Sequence, residues 1–171
     1  MLTGRRRFDL ALSRAFQGGS ADAYFLTDHV QAHLRRRAAG FLPPGSCALV
    51  GLPEGVAGAG NAWGTRVLAV LPTMRVPGDV GWHRDLVYNA TWALLAEVAR
   101  WNADEGANGG PIERIVMTGL GTGTGGVSAE RCARQMVLAV KHFEEGVAEH
   151  ARWETVQRQM EEVEETWTES E

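Results

Sequence analysis

Absences narrow this chain before any motif does. Nowhere in its 171 residues does an apolar run reach the length needed to cross a bilayer, and Met1-Leu-Thr leads into charged sequence without a secretory apolar core. Cysteine is scarce: Cys47 and Cys132 sit in strand-like and helix-like apolar contexts with no metal-ligand spacing between them. They read as buried free thiols in a reducing compartment. A net charge of -4 gives no overall pull toward nucleic acid, although Arg5–Arg7 and Arg35–Arg37 make the first part basic and the end is strongly acidic. Internal repeats and low-complexity segments are missing too. The expectation is a protein of the cytoplasm, or of the nucleus if eukaryotic, that binds neither membrane nor nucleic acid. With 44% hydrophobic residues it has enough apolar surface for one domain with a sizeable core.

Glycine, by contrast, is concentrated where it matters. Residues 118–127 read Thr-Gly-Leu-Gly-Thr-Gly-Thr-Gly-Gly-Val, after the strand-like run Ile115-Val116-Met117 and before a helix-like stretch. Gly119, Gly121, Gly123, Gly125 and Gly126 let the backbone curl around an anion with N–H groups aimed inward. Ser128 is a suitable N-cap and Glu130 sits early in the following helix, whose N-terminus carries partial positive charge. Gly121, Gly123 and Gly126 match G-x-G-x-x-G, but no later strand follows to close a βαβ unit, which excludes the dinucleotide fold. No Lys-Ser or Lys-Thr follows the glycines, which excludes a Walker loop. A phosphate cradle on the last strand of a sheet is left, against the plainer alternative of a glycine-rich surface turn.

Periodicity organises the remainder. Phe8, Leu12, Ala15 and Phe16 predict a short amphipathic helix ending at Gly18 or Gly19. A longer helix is predicted from Ser20 to about Arg37, burying Tyr24, Val30 and Leu34. Its His29 and His33 share a face but lack a third ligand, so no metal is expected. The short apolar runs 47–52 and 67–71 predict strands covered on both faces. Residues 53–64 between them look like a connection. Val87, Thr91, Leu94, Val98 and Trp101 predict a helix ending near Asn102, followed by a strand over 112–118. Cys132, Met136, Ala139, Val140 and Phe143 form the expected buried face of the next helix. Beyond Gly146, Val156, Met160, Val163 and Trp167 keep helical spacing in a heavily acidic segment that can dock on the domain or on a second chain. Strands alternating with helices argue an α/β domain of three layers.

Together these segments resemble the macro domain, in particular its fungal and bacterial macro-like branch. The matching text is Phe8-Asp-Leu-Ala-Leu-Ser-Arg-Ala-Phe16, Gly40-Phe-Leu-Pro-Pro-Gly-Ser-Cys47, Leu52-Pro-Glu54, Leu71-Pro-Thr-Met-Arg-Val-Pro77 with Asp79-Val80, Val87-Tyr88, and residues 119–127 continuing to Gln135-Met136 and Lys141-His-Phe143. The resemblance implies an α/β/α sandwich with a mixed sheet and a cleft for ADP-ribose. It implies ligand contacts from Gly119, Gly121, Thr122, Gly123, Thr124, Gly125, Gly126 and Val127, and from Gly4, Phe8 and Thr73. Asp9 matches a position that in one hydrolase branch carries a carboxylate orienting water toward the ribose anomeric carbon, where it would act as base. Favouring its helix's first turn is the plainer role for Asp9. Family members also carry an Asn-Ala-Asn-like segment, two strands and an adenine-binding acid ahead of this chain's first residue. Arg5, Arg6 and Arg7 stand where glycines are usual, and could pair with phosphate oxygens.

An N-terminally truncated sandwich is therefore expected, with residues 1–146 as the macro-like domain and 147–171 as an acidic amphipathic helix or tail. The leading functional expectation is binding of ADP-ribose, an ADP-ribosylated protein or a related nucleotide diphosphate, with no metal or cofactor. Hydrolysis of ADP-ribose from modified proteins using Asp9 is one alternative. The other is a degenerate domain acting on a protein partner through its C-terminal segment.

Overall fold

The structure, a computed structural model, describes residues 8–18, 22–104, 109–146 and 152–168, with the side chains of Phe8 and Asp9 outside that description. The chain forms two compact units, one of Met1–Leu42 with Leu49–Val70 and one of Pro43–Ala48 with Leu71–Glu171.

In the first unit, α1 (Phe8–Ala15) packs on α2 (Phe25–Ala38). Ser13 is buried between them and its hydroxyl donates to Ala23 O at 2.6 Å, so the one polar group on that face keeps a partner. Tyr24, expected inside, precedes the first turn of α2 and stays exposed; Leu26 and Leu34 supply the buried stripe instead. Strands β1 (Ala48–Gly51) and β2 (Val67–Val70) pair antiparallel, and beyond β1 the Leu52 N–H donates to Arg66 O at 2.9 Å. Asn61 organises the connection between them. Its Nδ2 donates to Val56 O at 2.8 Å and Thr65 O at 2.7 Å, while its Oδ1 accepts from the N–H groups of Trp63 and Thr65. Phe16, Leu26, Leu52 and Val56 form the core of this unit, with Leu12, Phe25 and Leu68 against it.

The second unit is built from α3 (Leu86–Ala103), α4 (Ala129–Glu145) and α5 (Trp153–Glu164). Its apolar core is Val80, Leu86, Val87, Val127 and Cys132, closed by Met74, Leu120 and Met136. The predicted α3 stripe holds at Val87, Thr91 and Leu94; Val98 and Trp101 are only partly buried. On α4 the buried side is Arg131, Cys132, Gln135, Ala139 and His142, rotated from the expected apolar face so that Val140 is exposed. Polar side chains can occupy that side because each is met by a partner. Gln135 accepts from the Tyr88 N–H and donates to Arg84 O and to Thr166 Oγ1. His142 Nδ1 lies 3.1 Å from the Tyr88 hydroxyl and its Nε2 lies 3.2 Å from Glu162 Oε2; an imidazole carrying its proton on Nε2 satisfies both.

The three-layer α/β/α sandwich with a mixed sheet is not the observed architecture. Among the described residues the structure is helix-rich, with one sheet of two four-residue antiparallel strands. β1 and β2 fall where strands are predicted, but their side chains are mostly half-buried rather than covered on both faces. The decisive departure is 112–118, which forms no regular secondary structure and joins no sheet. Asn102 takes both backbone groups of Ile112, accepting from its N–H at 2.8 Å and donating to its C=O at 3.0 Å. After that, backbone groups 113–118 find no hydrogen-bond partner among the described residues. Val116 is fully exposed, so this stretch cannot be the central strand that a mixed sheet needs. No helix among the described residues is long and apolar enough to cross a membrane.

Candidate functional site

The glycine-rich loop lies at the entrance to α4 and is fixed at both ends of its turn. Val127 is buried in the core beside Val80 and Cys132, and its N–H donates to Gly121 O at 3.1 Å. The Val80 N–H donates to Gly125 O at 2.9 Å, tying the loop to the preceding turn. Gly121 and Gly126 have φ of 70° and 72°, in the left-handed region that penalises a Cβ. Gly125 is needed for space instead. A methyl group there would sit 2.6 Å from Gly121 O and 2.8 Å from Val80 Cγ2.

What these anchors leave open is the tip. Thr122, Gly123 and Thr124 are exposed, and their three consecutive N–H groups have no hydrogen-bond partner among the described residues. The Thr122 hydroxyl turns back to donate to Gly119 O at 3.1 Å. Ser128 caps α4, its Oγ accepting from the Arg131 N–H at 3.2 Å, so a seventeen-residue helix directs its positive end into this region. One carboxylate intrudes on the loop. Asp79 accepts from the Gly81 N–H at 2.8 Å, and its other oxygen lies 2.7 Å from where a Gly126 Cβ would be. An anion would therefore meet the Thr122–Thr124 tip at lower electrostatic cost than the Gly126 side.

Arg131 supports the loop from below. It is buried, and its guanidinium donates to Gly81 O, His83 O and Arg84 O, holding the 79–85 turn against α4. Its Nε has no hydrogen-bond partner among the described residues. Sequence reading gave no role to Arg131, or to Gln135 and His142, which enter only in the text of the resemblance, although their positions at i, i+4 and i+11 place all three on one face of α4.

Of the other expected contacts, Thr73 lies half-buried in the loop after β2, next to Met74, which packs on the core that holds Val127. Gly4 lies outside the described residues. Phe8 and Asp9 begin α1 as backbone, and their side chains are likewise outside, so no base can be positioned from Asp9. His29 Nε2 is 2.8 Å from Gly51 O, and no group of three His, Cys, Asp or Glu able to hold a metal ion occurs among the described residues. Neither thiol is poised for nucleophilic work. Burial, then the nearby Glu97 carboxylate, pushes Cys47 up to about 12, and burial likewise raises Cys132.

No family model matches the chain, and no curated protein or solved structure matches it.

Proposed function

We propose that the glycine-rich loop and the N-terminus of α4 bind the diphosphate of ADP-ribose or a related nucleotide diphosphate. The observation that carries this reading is the exposed run of unclaimed N–H groups at Thr122, Gly123 and Thr124, held open between two anchored ends. Backbone donors fixed in advance lose no side-chain entropy on meeting a phosphate, and the capped helix behind them adds its positive end. The resemblance of residues 119–127 to a diphosphate-wrapping loop points the same way without supplying the fold around it. The proposal is binding; no turnover is assigned to Asp9.

Calorimetric titration of the full chain with ADP-ribose, with AMP and ribose-5-phosphate as controls, tests this reading. ADP-ribose should bind and the controls should bind more weakly, because neither presents a diphosphate. Gly123→Ala is the discriminating variant, since nothing lies within 4 Å of its added methyl and the fold has no reason to change. Loss of affinity by roughly tenfold or more, about 1.4 kcal/mol, is expected where ligand touches that backbone. No binding of ADP-ribose at millimolar ligand by the folded chain, or undiminished binding by Gly123→Ala, would overturn the assignment.

A further inference from the structure

Helix α5 uses only part of its surface to join the second unit. Val163 and Thr166 are buried, and the Trp167 indole donates to Asp85 Oδ1 at 2.7 Å while Arg84 stacks 5.0 Å from its ring centre. One charged flank is consumed in the same attachment. Arg158 reaches Glu145 at 3.0 Å and Glu162 at 2.9 Å, and Lys141 also pairs with Glu162. On the opposite side Trp153, Val156 and Met160, at i, i+3 and i+7, stay exposed on an open helix face beside Gln157, Glu161 and Glu164. Glu154, Glu161 and Glu164 form no ion pair with any described residue, in contrast to the neutralised flank.

From this asymmetry we propose that the outer face of α5 docks a basic amphipathic helix of a partner protein. The apolar residues at helical spacing provide the seat for a facing helix, with Trp153 as the large anchor and Met160 as an adaptable contact. These carboxylates, which have no cationic partner among the described residues although Glu161 accepts from Gln157 Nε2 at 3.0 Å, choose the occupant. A second copy packed parallel would bring Glu161 and Glu164 against their own counterparts, and an anionic bilayer surface would be repelled in the same way. A segment with apolar residues at i, i+3 or i+4, and i+7 and with Lys or Arg along the flank satisfies both features of this face. This inference stands independently of ligand binding at the glycine loop.

The test uses the full chain and three labelled synthetic peptides, followed by fluorescence anisotropy. One is a Leu/Lys helix with that spacing, one has the same composition in scrambled order, and one has Glu in place of Lys. Binding of the ordered basic peptide alone is expected. Trp153→Ala combined with Met160→Ser should weaken it by roughly tenfold or more, as for an interface anchor. Glu161→Lys with Glu164→Lys should weaken it as well, while circular dichroism shows each variant folded like the parent, since all four positions lie on the outer face. Absence of binding by the ordered basic peptide, equal binding of the scrambled or acidic peptide, or undiminished binding by the Trp153/Met160 variant would each overturn the proposal. So would sedimentation showing that the parent chain self-associates through this face and that the Trp153/Met160 variant does not.

Discussion

Replacing Gly125 by alanine should damage the loop far more than the same change two residues earlier. The added methyl at 125 meets Gly121 O at 2.6 Å and Val80 Cγ2 at 2.8 Å, both closer than carbon tolerates. Neither neighbour can retreat alone. Gly121 O is held by the Val127 N–H, and Gly125 O by the Val80 N–H, so relief of the clash breaks or stretches one of these bonds. Overpacking costs ~1–3 kcal/mol and a lost hydrogen bond ~0.5–1.5 kcal/mol, which gives about 1.5–4.5 kcal/mol in all. For a chain of this size each kcal/mol lowers the melting temperature by roughly 2–4 °C, so a fall of roughly 3–18 °C is expected. Gly123→Ala has open space and no left-handed φ, and by restricting the unfolded chain it should leave the melting temperature unchanged or slightly raised. Thermal unfolding by circular dichroism on the two variants side by side reads the difference. Coincident melting of Gly125→Ala and the parent would refute the packing of the loop on Val80.

Three further outcomes follow from other parts of the chain. Hydrogen bonds from Lys141 and then His142 hold the Glu162 carboxylate down from 4.5 to about 2, so its contribution to stability is complete above pH 4.5 and is lost as pH falls toward 2. The melting temperature of the parent should exceed that of Glu162→Gln at neutral pH and converge with it across that window; a constant gap would exclude the linkage. Asn61→Asp should lower stability by about 2 kcal/mol or more, because it sets a carboxylate oxygen against Val56 O and Thr65 O where an amide now donates, and urea unfolding measures the loss. Val116→Lys should change stability by no more than about 0.5 kcal/mol, as for an exposed site, whereas a large loss would restore a buried strand at 112–118.

Legibility of the fold divides along a physical line between local and distant causes. Helix α3 and the strands β1 and β2 were readable because periodicity and flanking glycine or proline act within a few residues. The strand predicted over 112–118 is not formed, because an apolar run becomes a strand only when another segment brings N–H and C=O groups to its edge. Among the described residues only the side chain of Asn102 does so, and only for Ile112. The misreading of α4 has a related origin. A pattern rule sends Arg131, Gln135 and His142 outward because burying a polar group alone is costly. In the folded chain the carbonyls of Gly81, His83 and Arg84, the backbone N–H of Tyr88 and its hydroxyl, and the Glu162 carboxylate meet those side chains.

The candidate site shows the same division. The composition of 119–127 is enough to argue a loop with unclaimed N–H groups, because glycine acts on its own backbone. It does not reveal that Val80 closes one end or that the Asp79 carboxylate stands beside Gly126, since both come from a turn some forty residues earlier. Those two neighbours shape what the loop can do. Val80 fixes the curvature that leaves Thr122–Thr124 outward, and Asp79 makes the Gly126 side unfavourable to an anion. Under the proposed reading a phosphate meets the Thr122–Thr124 tip, so Gly123→Ala separates ligand contact from loop integrity and Gly125→Ala does not.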